Sequence, residues 1–376
     1  MTRFGQRPTP SHEERVRSEL ESRQTRRLQV QKAPMNLSSM SGAIAAVMVV
    51  ALGGVGCKPS QQAAKQPAAV TEIAPVTGNP FAGLELFVPT YTNADQARRR
   101  LQSSNPDEAQ LIAKIADTPQ ARWFGEWSGD PKTAAGNFVT AASKRGAGAL
   151  LVAYNIPNRD CGLYSKGGAV DPEGYRKWIA ALAEGIGQDK RAVVVLEPDA
   201  LGHLTECLSE ADQEQRLALL RYAIETLEAL PGVSVYLDAG HSRWVPAPEM
   251  ARRLKAAGVE KARGFALNTS NYIADEELIS YGEEIVSLIG ETHYIIDSSR
   301  NGNGPAPEDP STEKAWCNPP GRALGRKPTI ETGYPRLDAF VWVKNPGESD
   351  GECQGGPPAG QWFHERALEM ARNAKW

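Results

Sequence analysis

The sequence predicts an α/β fold: a barrel of parallel strands with polar residues gathered at the C-terminal strand ends. Three observations lead there. Short apolar runs recur along residues 81–376. Amphipathic helical stretches lie between several of them. A polar residue follows six of the runs, always on the same side.

The runs are Leu84–Val88, Ala121–Phe124, Ala149–Tyr154, Ala192–Leu196, Ser234–Leu237, Gly264–Leu267, His293–Ile296 and Ala339–Val343. Each is four to six residues of mostly Val, Leu, Ile, Ala and aromatics, the composition of strands buried on both faces. Asp171–Ile186 and Glu210–Leu230 carry apolar residues at three- and four-residue spacing and read as helices. Strand alternating with helix implies a parallel sheet, and eight candidate strands suggest a closed or nearly closed barrel. Tyr154-Asn155, Glu197-Pro198-Asp199, Asp238-Ala239-Gly240-His241, Asn268, Asp297 and Lys344 follow the third to eighth runs. A single Asp after a strand is an ordinary helix cap; six polar strand ends on one side point to a shared site.

The N-terminus reads as targeting rather than fold. Residues 1–40 hold eight Arg/Lys and four Glu, and Ser41–Gly56 then carries no charge. That apolar stretch is short for a spanning helix, which needs about 20 residues, and suits an export signal. Arg26-Arg27 upstream fits a twin-arginine route. Cys57 ends the run and resembles a bacterial lipidation site, with Gly54 standing where a Leu is usual. A nearby cleavage site or an uncleaved anchor are the alternatives. All three place the remainder outside the cytoplasm, either secreted or attached to a membrane through the N-terminus. The expected layout is an export or anchor segment at 1–57, a Pro/Ala/Gln-rich linker at 58–80 and one catalytic domain at 81–376.

Composition and motifs narrow the chemistry. A net charge of −3 argues against nucleic acid as a partner. The five His, at 12, 203, 241, 293 and 364, are not spaced for a metal site, so no metal is expected. No Gly-rich phosphate loop and no Gly-x-Ser-x-Gly elbow appears, and no cofactor is called for. What remains is carboxylates and Trp. Asp160, Asp199, Asp238 and Asp350 sit in loops with Gly, Pro or Cys neighbours, and Trp123, Trp127, Trp244 and Trp316 lie beside them. Indole faces accept the C–H faces of pyranose rings, and paired carboxylates perform acid/base work when one is kept protonated. Together they suggest glycoside hydrolysis.

Extended motifs carry a resemblance. Val152-Ala-Tyr-Asn-Ile-Pro-Asn-Arg-Asp160-Cys161-Gly and Val193-Val-Val-Leu-Glu-Pro-Asp199-Ala-Leu resemble the two signatures of glycoside hydrolase family 6, the cellulase family. Five further blocks follow in order: Tyr236 to Trp244, Asn268 to Tyr272, Ile296 to Gly304, Trp316 to Arg322 and Phe340 to Gly351. The resemblance implies a distorted (β/α) barrel and hydrolysis of β-1,4-glucan with inversion. It implies Asp199 as general acid, Asp160 as the nearby charge that raises its pKa, Asp350 at the position of the disputed base, and Tyr154 crowding the distorted sugar. It implies sugar hydrogen bonds from Asp238, His241, Asn268, Arg300, Lys344 and Glu348, and stacking on Trp123, Trp244 and Trp316. The four Cys after the export segment allow three pairings; the resemblance implies Cys161–Cys207 and Cys317–Cys353.

One position departs from the family pattern. Where some members carry a water-holding Ser, this chain has Lys166, with Ser165 one residue before. The expectation is that Ser165 or a backbone group takes that part. The loops at Gln354–Gly360 and Cys161–Asp171 are short, so an open cleft and endo action are expected, with β-1,4-glucan as partner and a monomeric catalytic domain. The alternatives are a cellobiohydrolase acting from chain ends and a surface glucan-binding protein. With no carbohydrate-binding module recognised, soluble or amorphous glucan is the expected substrate.

Overall fold

The computed structural model describes residues 73–307 and 315–376. The export-segment and Cys57 readings, and most of the 58–80 linker, lie outside them. No helix among the described residues is long and apolar enough to cross a membrane.

Seven parallel strands form one curled sheet in sequence order: β1 (Arg122–Phe124), β2 (Ala149–Ala153), β3 (Ala192–Leu196), β4 (Val233–Asp238), β5 (Gly264–Leu267), β6 (His293–Asp297) and β7 (Leu337–Val341). Helices α1 (Asn93–Leu101) and α2 (Pro106–Ala116) precede β1, and α3 (Pro131–Ser143), α4 (Pro172–Ile186), α5 (Glu210–Glu228), α6 (Ala247–Ala256) and α7 (Asp275–Ile289) cross between strands. Helix α8 (His364–Asn373) follows the sheet. The two helices read from sequence are α4 and α5. Asp171 caps α4 by accepting from Gly174 N–H, and Ser209 caps α5 by accepting from Asp212 N–H.

Alternation along the strands makes two cores. Ala149, Leu151 and Ala153 of β2, Val194 of β3, and Val235 and Leu237 of β4 pack outward against the helices. Leu150 and Val152, Val193 and Val195, Tyr236, Ala266, Ile295 and Val341 pack together as a separate cluster that fills the barrel. Tyr154 belongs to this inner cluster, which brings it to the barrel mouth.

The eighth expected strand is a correction. Leu84–Val88 makes one parallel bridge, Leu86 to Gly148, on the stretch of β2 edge that short β1 does not reach. Of this run only Phe87 is buried, and the segment docks there without extending the ladder. The barrel is consequently not closed by a β7–β1 pairing among the described residues. Instead Ala121 N–H donates to Trp342 O (2.9 Å), Trp123 Nε1 to Val343 O (2.8 Å) and Asn345 Nδ2 to Ala121 O (3.0 Å). The Trp342 ring packs with Ile112, Ile115 and Leu368 of α2 and α8 beside this seam.

Candidate active site

A cavity of about 1140 Å³ opens at the C-terminal strand ends. Tyr154, Asp160, Asp199 and Asp350 all line it, as do Trp123, Trp244, Trp316, His241, Lys344 and Glu348. Trp127 lies on the same wall.

Asp199 is held in a left-handed backbone conformation (φ 69°), and so are Asp160 (φ 57°), Glu197 (φ 48°) and Asn268 (φ 68°). Each such residue costs on the order of 1–2 kcal/mol, and their clustering at one mouth makes it the candidate functional site. The Asp199 N–H donates to Asp238 Oδ1 (3.0 Å), and Tyr154 Oη donates to Asp199 Oδ2 (3.2 Å). Burial, then the like charges of Asp238 and Asp160, push the Asp199 carboxyl up to about 7.

Asp160 is placed from two sides. Ser165 N–H donates to its Oδ2 (2.6 Å), and its Oδ1 lies 3.6 Å from His203 Nε2. The Cys161–Cys207 disulfide joins its loop to the segment after Asp199, and Cys317–Cys353 staples the Trp316 loop to the Asp350 loop, the two pairs the resemblance implies. Lys166 lines the cavity, and its carbonyl accepts from Arg159 (3.2 Å). It is thus the Ser165 backbone amide that reaches Asp160.

Asp350 stands in a different field. Arg300 donates to both carboxylate oxygens (2.9 and 3.0 Å), Tyr272 Oη and Asn318 N–H donate to Oδ2 (each 3.1 Å), and Lys344 Nζ lies 3.4 Å from Oδ1. Burial would raise this carboxyl, but Arg300 and then Lys344 outweigh it and hold it below the ordinary Asp value.

Three residues expected to bind sugar lie beneath the cavity rather than on its wall. Asp238, at the inward-facing end of β4, is fully buried and accepts the Asp199 and Gly240 amides. The Asn268 side chain spans Asp297 O (2.8 Å) and Ile273 N–H (3.0 Å). Arg300 is spent on Asp350 and Ser270 O. They support the surface that sugar would touch. His241 does line the cavity, and burial lowers its imidazole to about 4, so it is neutral there.

The Trp244 platform depends on a glycine. A Cβ on Gly202 would lie 2.5 Å from the Trp244 ring, so only Gly lets the ring lie flat on the turn after Asp199. Trp244 Nε1 donates to Glu206 Oε1 (2.8 Å), which fixes its rotation.

Sequence reasoning gave no role to several residues. Glu197 is fully buried, accepts the Asn155 and Ile156 amides (3.0 Å each), and burial lifts it to about 7. Arg159 ties Glu126 to the Tyr154 carbonyl and lies 4.6 Å over the Tyr154 ring. His203 stands between Asp160 and Glu206. Glu197 and Arg159 fall within the quoted motifs, so proximity to Asp199 and Asp160 was the available signal. His203, four residues after Asp199, was considered only as a metal ligand.

Residues 81–374 match the family model for glycosyl hydrolases family 6. The chain therefore belongs to glycosyl hydrolases family 6. It is 44% identical over 283 residues to Endoglucanase A of Cellulomonas fimi, covering 75% of this chain and 60% of that protein. It is 44% identical to Endoglucanase 1 of Streptomyces halstedii, covering 74% of this chain and 87% of that one. Among solved structures it is similar to the endoglucanase Cel6 of Mycobacterium tuberculosis in complex with methyl-cellobiosyl-4-deoxy-4-thio-β-D-cellobioside. There the TM-score is 0.74 with 44% identity, over 79% of this chain and 99% of that chain.

Proposed function

We propose that this protein hydrolyses internal β-1,4-glucosidic bonds of cellulose or a related β-glucan, with inversion, using two carboxylates. One observation carries the reading: a cavity-wall Asp199 whose carboxyl keeps its proton to about pH 7, set among indole platforms. A protonated acid of that affinity suits donation to a glycosidic oxygen near neutrality. Asp199 gives its proton to the leaving oxygen as the C1–O bond breaks, and a water attacks C1 from the opposite face. Tyr154, bonded to Asp199, crowds the sugar at the cleavage point.

The charge on Asp350 is already neutralised by Arg300 and Lys344, which makes it a weak base. Among the described residues Asp160 has no Arg or Lys in ion-pair range and only His203 at 3.6 Å, so it is the less neutralised of the two carboxylates, which supports passing the water's proton toward Asp160 rather than to Asp350. Lys344, Glu348 and His241, which line the cavity, are among the polar groups in position for sugar hydroxyls. Trp123, Trp244 and Trp316 are its stacking faces.

Endo action is supported by the short loops flanking Asp160 and Asp350 and by the names of the bacterial relatives. Export is supported by the two disulfides, which need an oxidising compartment, and by the apolar segment before Cys57. On this reading the domain acts as a monomer, free or tethered to a membrane.

The test is the full chain, made with its disulfides formed, on soluble carboxymethylcellulose with viscosity and reducing ends followed together. A steep viscosity fall with few new ends, lost in Asp199→Asn, is expected. Products dominated by cellobiose at the earliest times overturn endo action. Glucan binding without hydrolysis overturns the enzyme reading.

A further inference from the structure

His203 lies in a short 3₁₀ turn, Gly202–Thr205, and its N–H donates to the Asp199 carbonyl (2.9 Å). Its side chain is about 10% exposed. Nδ1 is 2.6 Å from Glu206 Oε2, and Nε2 is 3.6 Å from Asp160 Oδ1. A neutral imidazole has one N–H and can satisfy one carboxylate. Here each ring nitrogen faces a carboxylate oxygen, an arrangement that suits the doubly protonated ring. The other oxygen of Glu206 accepts from Trp244 Nε1 (2.8 Å), and the imidazole meets the Trp244 ring edge-on at 4.7 Å.

We propose that His203 is a charged positioning residue that serves as counter-ion to Asp160 and, through Glu206, fixes the Trp244 platform. This rests on the hydrolase reading above. It makes the carboxylate beside the attacking water and the sugar-stacking indole two ends of one chain, Asp160–His203–Glu206–Trp244.

The charged and titratable groups around His203 are accounted for. Asp160 and Glu206 flank the ring, and Asp199 precedes it in the same turn. Arg253 of α6 sits beneath and donates to Leu201 O, Gly202 O and Thr205 Oγ1. Arg216 of α5 donates to Ala200 O. His241 is on the far side of Trp244, tilted against it at 5.9 Å. Burial opposes the charged ring, but the carboxylates outweigh it, and His203 titrates above the ordinary His value. The imidazolium in turn favours the ionised form of Asp199.

Two measurements test this. The first is the pH profile of kcat on hydroxyethylcellulose, an uncharged soluble substrate. In His203→Gln the alkaline limb, set by the protonated acid, should move up by about one pH unit, because a cation beside Asp199 is lost. His203→Lys, which keeps a charge, should return the limb toward its wild-type position. In Glu206→Gln, KM should rise severalfold as Trp244 loses its anchor. A residue that only props the turn would lower kcat without moving the limb. An unmoved limb in His203→Gln, or an unmoved KM in Glu206→Gln, overturns the proposal.

The second measurement does not depend on activity. The His203 ring protons are titrated by NMR in the wild-type protein and in Asp160→Asn. The ring should titrate above its ordinary value and fall in the variant. A ring already neutral at pH 6 overturns the inference, even if the wild type hydrolyses no glucan. A wild type inactive on glucan but with a high-titrating His203 sinks the hydrolase reading and leaves the charged pair standing.

Discussion

Asp238 holds Asp199 by its backbone, not by its carboxyl: Asp238 Oδ1 accepts the Asp199 N–H at 3.0 Å from a fully buried position at the end of β4. The same oxygen accepts Gly240 N–H at 3.1 Å. One inward-facing residue thus fixes the left-handed turn that presents the acid and adds a like charge beneath it. Burial raises the Asp238 carboxyl itself above the ordinary Asp value, and its charge is one of the two that hold Asp199 up.

Asp238→Asn keeps an acceptor for the Asp199 amide and removes the charge. The alkaline limb of kcat should move down by about one pH unit, opposite in sign to His203→Gln. Asp238→Ala also loses the acceptor and should cost about 100-fold or more in kcat. A limb that stays fixed in Asp238→Asn would show that the two carboxyls are not coupled.

Asp199→Asn should reduce kcat by about 10³-fold and stabilise the protein at neutral pH. The sign follows from the raised carboxyl. Below the free value of 3.8 both states are protonated and no penalty arises; as pH rises toward about 7, ionisation increasingly favours the unfolded chain. Scanning calorimetry should show a Tm gain of roughly 2–4 °C at pH 8 that vanishes at pH 4. A gain independent of pH would mean that Asn packs better for another reason.

Arg300 and Asp350 form an ion pair with side chains 2% and 6% exposed. Arg300→Met leaves the carboxylate buried with only Lys344 as a nearby cation and should cost about 3–5 kcal/mol at pH 7. The wild-type Asp350 carboxyl is depressed, so its contribution is present above the ordinary Asp value and is lost as pH falls through its lower folded value. Denaturant titrations should therefore show the gap between wild type and variant narrowing at pH 3. A constant gap would assign the loss to packing alone.

Cys207→Ser opens a bridge spanning 46 residues. The chain-entropy model puts the loss at about 4 kcal/mol. Because Cys161 adjoins Asp160, the variant should also lose about tenfold in kcat, measured well below its Tm. Full activity in the surviving folded fraction would show that Ser165 and His203 suffice to place Asp160.

Gly202→Ala tests the Trp244 platform without touching the indole. The added carbon would meet the ring at 2.5 Å, so the ring must shift. KM on soluble glucan should rise nearly as far as in Trp244→Ala, severalfold or more, while Asp199 keeps its pH profile. An unchanged KM would exclude Trp244 as a stacking face.

Much of the fold was legible because buried parallel strands have a local signature. Seven of the eight apolar runs are strands, and Asp171 and Ser209 cap the two helices that periodicity picked out. Leu84–Val88 was overread because apolar composition does not record ladder partners, and β2 already had β1 on most of that edge. Asp160, Asp199 and Asp350 could be picked out from their motifs, each embedded in a long local pattern. Asp238, Asn268 and Arg300 were legible as belonging to the site, but not on which side of its surface they lie. A strand-end position gives a residue's height along the barrel; how deep its side chain sits depends on neighbours from other strands.

The sequence by itself determined the parallel α/β barrel, the side of the sheet that carries the polar ends, and the carboxylates and indoles gathered there. Those properties follow from composition and periodicity within a few residues of each other. Only the tertiary structure decided that the barrel is sealed by Ala121, Trp123 and Asn345 rather than by an eighth strand. It alone gave Asp199 and Asp350 opposite proton affinities. Both are Asp in glycine- and proline-bearing loops, and what separates them is the field: carboxylates around the first, Arg300 and Lys344 beside the second. Lys344 is local to Asp350, but Arg300, Asp160 and Asp238 come from other strands, and Coulomb energy depends on distance in space, which spacing along the chain does not record.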